Sequence, residues 1–219
     1  RVSGGLRARH EDVAEPPGIA PTVLAEHVSI PLRDSVKLVN KISQNLHTEV
    51  LLRTAMRQTA ATWSSPDELM KFAADFYAAI GIAPGDVIQT DGSGLSRHDM
   101  VTPRAVVALL RWAQSQPWFE SYYASLPVAG IDGTLEERMK NTPAAGRVHA
   151  KTGSVEHVRT MSGFAETAGG RRLVFSFLSN NQGGKNHEAT DALAGFCVAM
   201  IEEFNAVPAK RSREHKRPH

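Results

Sequence analysis

The sequence predicts an α+β domain, with helices packed on an antiparallel sheet. Three observations carry this reading. Between Pro31 and Ser115, apolar residues recur at the three- and four-residue spacing of amphipathic helices. From Arg147 the period shortens, and the segments 148–152, 160–166 and 172–179 read as strands. A long, largely apolar stretch ending at Phe204 then returns to helix. Helices come first, then the sheet, then one last helix.

Each element has a local reason. Residues 1–21 are polar and rich in Gly and Pro, and Glu15-Pro16-Pro17-Gly18 is a break, so this stretch reads as a tail or the end of a preceding segment. Thr22 to Ser29 alternates in part and is expected as a short strand that enters the main domain. Pro31 suits a helix start, and Leu32, Val36 and Val39 continue the pattern. Ser43-Gln44-Asn45 interrupts it with residues that prefer turns and caps. A second helix is expected from Leu46 to about Thr59. Ser65-Pro66-Asp67-Glu68 then combines a cap, a proline at the first position and an acid three residues on. That third helix should end near Ala79, before Gly81. Asp91 to Ser96 is a loop by composition. Thr102-Pro103 starts a helix through about Ser115, and Gly130 to Thr134 is a turn followed by a short helix through Met139. Ala168-Gly169-Gly170 joins the last two strands as a hairpin. The final helix runs from Asn186 or Glu188 to Phe204, and residues 207–219 are a basic tail (Lys210, Arg211, Arg213, Lys216, Arg217).

Composition narrows the function. The chain has 219 residues, enough for a sizeable core. Its formal net charge is only +2 and its aromatic content 6%, which argues against nucleic acid as a partner. No apolar run approaches the eighteen or so residues of a membrane span. The single cysteine, Cys197, excludes an internal disulfide and multi-cysteine zinc sites, and its apolar helix places it in the core. The scattered histidines, His149 and His157 included, lack ligand spacing, so no metal or cofactor is expected.

Three segments could carry chemistry. In His149-Ala150-Lys151-Thr152-Gly153-Ser154, strand periodicity points His149, Lys151 and Gly153 to one face. An ammonium, an adjacent hydroxyl and a glycine that admits a ligand to the backbone could together bind a carboxylate. A strand end with a solvated lysine is the plainer alternative. Ser43-Gln44-Asn45 sets a hydroxyl and an amide between two helices, where they could relay a proton and hold a carbonyl, or merely cap a helix. In Asp91-Gly92-Ser93-Gly94-Leu95-Ser96-Arg97, two glycines could expose Ser93. The segment lacks the strand–elbow–helix context of a nucleophile elbow, however, and reads as a demanding turn.

The combination is more specific than its parts. Ser-x-Asn, followed about a hundred residues later by Lys-Thr-Gly on a strand, resembles the second and third motifs of the penicillin-recognising serine enzymes. LAEH at 24–27, VKLVNKISQN at 36–45, LHTEVLLR at 46–53, DGSGLSR at 91–97 and VHAKTGS at 148–154 extend the likeness. Over roughly residues 22–205 the chain resembles the class C low-molecular-mass penicillin-binding proteins, the type-4 D-alanyl-D-alanine carboxypeptidase/endopeptidases.

The resemblance implies a β-lactamase/transpeptidase-like fold, an antiparallel sheet flanked by helices with a helical subdomain, over residues 22–206. Residues 1–21 would then end an accessory inserted domain. It implies serine acyl transfer on peptidoglycan stem peptides, acylation by β-lactam antibiotics, and a periplasmic location. By position, Ser43 would relay a proton, Asn45 would hold the acyl side of the substrate, and Lys151 would anchor the electrostatics. Thr152 would contact the terminal carboxylate, Gly153 would permit close approach, and the Ser154 N–H would serve as an oxyanion donor.

One departure is serious. The family's nucleophile and base lie in Ser-x-x-Lys, and no serine among the 219 residues has lysine three positions later. In this family that motif lies far upstream of Ser-x-Asn, across large inserts. The chain is therefore expected to be the C-terminal part of a longer protein, with an N-terminal segment as the partner that supplies the serine, and to be catalytically incomplete alone. The alternative is a non-catalytic peptidoglycan- or partner-binding relative that has lost its nucleophile. A stand-alone class A β-lactamase fits less well, because it would carry all its motifs.

Overall fold

The computed structural model describes residues 28–59, 65–183 and 186–204. The expected tails at 1–21 and 207–219, and most of the expected strand at Thr22 to Ser29, lie outside them. All elements belong to one unit, Pro31–His219. No helix among the described residues is long and apolar enough to cross a membrane.

The helices begin where their capping residues stand. Pro31 precedes α1 (Leu32–Ile42), which ends at Ser43 in the left-handed conformation, φ 59°. There the Ser43 and Gln44 N–H groups both donate to the Val39 carbonyl, which closes the helix. The chain turns at once into α2 (Asn45–Gln58), so Asn45 is its first residue rather than part of a longer break. Ser65 accepts a hydrogen bond from the Glu68 N–H at the start of α3 (Pro66–Ala79), and Thr102 does the same for Ala105 in α4 (Pro103–Gln114). Two elements were not anticipated. One is a two-stranded ribbon of β1 (Val87–Ile88) and β2 (Met100–Val101); the other is α5 (Phe119–Ser125).

The expected helix through Met139 is a correction. The helical backbone there is a single 3₁₀ turn, Gly133–Leu135. Met139 and Asn141 both adopt positive φ, 61° and 58°, which no helix can accommodate. The irregular path buries Leu135, Met139 and Ala144 in place of a helical stripe.

β3 (Val148–Val155), β4 (Val158–Glu166) and β5 (Arg172–Ser179) form an antiparallel sheet in that order. Its register pairs Ala150 with Gly163 and Lys151 with Ser162. Alternation sends Val148, Ala150, Met161, Ala165 and Phe175 to one face, where Leu193, Cys197 and Ile201 of α6 (Asn186–Glu203) cover them. Phe164 points the other way, into a second core with Leu110 and Ala113 of α4, Phe119 of α5 and Leu126. The sheet thus lies between α6 and the helical half, and His149 and Lys151 share the helical side.

Candidate active site

Two segments 108 residues apart meet on that side. Lys151, near the middle of β3, donates from Nζ to Ser43 Oγ at 2.7 Å and to the Thr152 carbonyl at 2.7 Å. The left-handed turn at Ser43 aims its hydroxyl at β3 instead of along the helix. Burial holds the Lys151 ammonium below the usual lysine range. Among the described residues, neither the Asn45 nor the Ser154 side chain joins this pair. Asn45 is exposed in the first turn of α2, and Ser154 is exposed beside the β3–β4 turn, opposite Arg159.

Thr152 Oγ1 lies 2.8 Å from Thr134 Oγ1, in the 3₁₀ turn. Sequence reasoning missed Thr134, as it missed Lys41 and Asp132. Lys41 Nζ donates to Asp132 Oδ1 at 2.7 Å and to the Leu126 carbonyl at 2.5 Å. Only the Asp132-Gly133-Thr134 turn itself was legible, and nothing in its composition indicates these partners. Gly153 also lies close to the neighbouring strand. A Cβ there would collide with the Thr160 hydroxyl on β4. Next to Lys151 on the same face, His149 stacks on Tyr123, ring centroids 4.1 Å apart. Arg172 covers the Tyr123 ring, 4.4 Å from its centroid.

The 91–97 loop is held by its own carboxylate. Asp91 accepts from Ser93 Oγ (2.8 Å), the Gly94 N–H (2.7 Å) and the Ser96 N–H (3.2 Å). Burial works to raise this carboxyl, yet those hydrogen bonds and one with Asp99 together hold it below its usual value. Glu49 of α2 accepts from the Gly92 N–H at 2.6 Å, and a Cβ at Gly92 would sit 2.9 Å from the Glu49 Cα. Ser93 is therefore bonded back into the turn. The loop borders an open cavity of about 880 Å³ that Tyr77, Val106, Thr160 and Leu178 also line. Across its mouth Arg97 lies 3.6 Å from Glu156, an exposed pair of little energetic weight.

Comparison with known proteins places this arrangement. Residues 8–200 match the D-Ala-D-Ala carboxypeptidase 3 (S13) family. The chain is 38% identical over 169 residues to the D-alanyl-D-alanine carboxypeptidase of Actinomadura sp. (strain R39), an alignment covering 74% of this chain and 31% of that protein. Penicillin binding protein 4 (dacB) from Haemophilus influenzae, in a crystal structure with a novel β-lactam, superposes with a TM-score of 0.71 at 28% identity, over 83% of this chain and 43% of that one. The TLA-3 extended-spectrum β-lactamase superposes at 0.60 with 15% identity, over 81% and 66%, and shares the fold alone. The chain spans about a third of the length of the curated relatives it matches. A helical half on an antiparallel sheet, the Ser43–Lys151 contact and the match over residues 8–200 all agree: the chain belongs to the S13 family of D-Ala-D-Ala carboxypeptidases.

Proposed function

We propose that this chain forms two walls of the acyl-transfer site of a serine D-alanyl-D-alanine carboxypeptidase/endopeptidase, which acts on peptidoglycan stem peptides outside the cytoplasm and is acylated by β-lactams. The observation that carries the reading is the 2.7 Å contact between Lys151 Nζ and Ser43 Oγ. It joins an ammonium and a hydroxyl from distant segments on one rim of the helical face, as proton relay and anion binding require together. The nucleophile comes from a Ser-x-x-Lys segment outside these 219 residues, because no serine within them has that spacing.

The chemistry then runs as follows. The incoming serine hydroxyl attacks the carbonyl carbon between two D-alanines and gives its proton to the lysine of its own motif. The tetrahedral oxyanion is held by backbone donors, of which the Ser154 N–H is one. When the C–N bond breaks, the departing D-alanine takes a proton relayed through Ser43. Lys151 keeps that relay polarised, and with Thr152 it binds the terminal carboxylate. Asn45 holds the acyl side, and Gly153 keeps the strand slim where substrate lies along it. Water then cleaves the ester, and the serine recovers its proton.

The test is covalent labelling of the full-length protein with a fluorescent penicillin, followed by intact-mass measurement of each polypeptide. Label on a serine of a segment joined to, or purified with, this chain is the expected result. A protein that acquires no label is a non-catalytic binding relative, and the reading falls. Label within these 219 residues would overturn the assignment of the nucleophile and make Ser93 its first candidate.

A further inference from the structure

We infer that the corner Asp132-Gly133-Thr134 is the positioning element of this site: it clamps the arm that carries Ser43 to the strand that carries Lys151, and Thr134 supplies the proton that lets the Thr152 hydroxyl face an anion. The inference rests on the functional reading above and extends it to residues outside the three motifs.

The corner touches both arms. Toward α1, Asp132 Oδ1 receives Lys41 Nζ at 2.7 Å, two residues before Ser43. The Lys41 side chain is only 13% exposed, so this pair is shielded on the lysine side, unlike the surface pairs elsewhere. Gly133 has φ +61°, and a Cβ there would stand 2.8 Å from the Lys41 carbonyl oxygen and 3.1 Å from Pro127 Cβ. The last turn of α1 therefore rests directly on the Gly133 backbone. Toward β3, the same Asp132 oxygen accepts from the Val128 N–H at 2.9 Å. The segment around Val128 is hydrogen-bonded to the free edge of β3 through a single antiparallel bridge, Val128 opposite His149. Ala129 N–H donates to the Val148 carbonyl at 2.9 Å, and Ala150 N–H donates to the Pro127 carbonyl at 3.0 Å. One carboxylate oxygen thus ties α1 to the segment bridged to β3. The Ser43–Lys151 distance follows from that tie.

Thr134 completes the corner. Its Oγ1 is 2.8 Å from Thr152 Oγ1, and each hydroxyl has one proton to give. With no anion bound, Thr152 donates to Thr134. A carboxylate on the open side of Thr152 accepts only, so Thr152 must turn its proton outward. The bond between the two threonines then survives only if Thr134 donates. A neutral carbonyl also only accepts, but a hydrogen bond to a charged oxygen is about twice as strong, so the proton from Thr134 counts most when the group at this position is a carboxylate. Thr134 acts through Thr152 and is a positioning residue.

The experiment compares acylation of the full-length protein by benzylpenicillin and by its methyl ester, which lacks the carboxylate charge. In Thr134→Val acylation by both reagents slows, the free acid more than the ester, so the preference for the free acid falls by roughly five- to tenfold, the difference between a hydrogen bond to a charged group and one to a neutral acceptor. Thr134→Ser restores the preference. Asp132→Asn slows both reagents alike, because it loosens the Ser43 arm without touching the anion. Circular dichroism and melting temperature establish that each variant folds. If Thr134→Val melts early, the Thr134→Ser and Thr134→Ala pair carries the same comparison. A free-acid preference unchanged in Thr134→Val, or lost equally in Thr134→Ser, overturns the inference and leaves the functional reading intact. A parent protein that neither reagent acylates overturns both.

Discussion

A methyl group at Gly163 tests how closely β3 and β4 must run for Lys151 to meet Ser43. Gly163 is central in β4 and directly opposite Ala150, the residue before Lys151. A Cβ built there would lie 2.6 Å from the Ala150 Cα and 2.9 Å from its Cβ, and would overlap the His149 carbonyl oxygen. Carbon atoms in van der Waals contact sit about 3.5–4.0 Å apart. The strands must therefore part by roughly 1 Å at a spacing of about 4.8 Å. The obstacle is backbone, so no side-chain rotation relieves it. Overpacking of this kind costs about 1–3 kcal/mol. For a domain of this size that lowers the melting temperature by about 2–12 °C. The same displacement moves Lys151 off Ser43, so Gly163→Ala should also slow penicillin acylation of the full-length protein. Thermal denaturation followed by circular dichroism reads the first effect, and a fluorescent-penicillin time course reads the second. A variant that melts within about 1 °C of the parent would refute the reasoning, because the sheet would then have slack where none is inferred.

Two further outcomes follow from the burial of titratable groups. Lys151 is held below the usual lysine range by burial, so the folded chain releases that proton at lower pH than the unfolded chain. Its contribution to stability is therefore smallest at neutral pH and rises as pH climbs toward the unfolded value of about 10.4. The urea midpoint of the parent relative to Lys151→Met should increase from pH 8 to pH 10, and a difference independent of pH would count against the buried ammonium. Cys197, packed 3.6 Å from the Met161 sulfur, has its thiol pushed up to about 12 by desolvation. At pH 8 the thiolate is then on the order of one part in ten thousand. Ellman's reagent should react slowly with the native protein and release one equivalent per chain on denaturation, since the chain has one cysteine. Prompt reaction of the native protein would place this helix face outside the core.

Elements with a local cause were legible in the sequence. Ser65, Thr102 and Pro31 mark helix starts in the sequence as they do in the structure, because capping is settled within a few residues. The alternation of β4 and β5 survives because one face of each strand is packed on α6. What was missed depends on tertiary contact. α5 is built from Phe119-Glu120-Ser121-Tyr122-Tyr123-Ala124-Ser125, in which five of the seven residues are aromatic or serine and weak helix formers, and it is held by Phe119 stacking edge-on against Phe164, ring centroids 5.3 Å apart. The ribbon of β1 and β2 has two residues per strand, too few for a period to show. At the site, the residue types at Ser43, Lys151 and Thr152 indicated a chemistry, but the separation of 108 positions between Ser43 and Lys151 hides their contact. Thr134 stood in a turn as one hydroxyl among many. Gly153 carries a second contact the sequence does not show: a Cβ there would also meet the Thr160 hydroxyl on the neighbouring strand.

β4 is the central strand of β3, β4 and β5, and of these three it alone sends fully buried side chains into both cores, Met161 and Ala165 to one and Phe164 to the other. Neither core can loosen without it. In hydrogen exchange, the amides of β4 should open only when the whole domain unfolds, while those of α1 and α2, with Leu38, Ile42, Leu46 and Val50 open to solvent, exchange through smaller fluctuations. The site therefore joins a slow partner to a fast one. Lys151 lies on a strand anchored to the last element to yield, and Ser43 on an arm that can breathe on its own. Deuterium should enter the amides around Ser43 long before those of β4, and the lifetime of the Ser43–Lys151 contact should follow the motion of the helical arm, not that of the sheet.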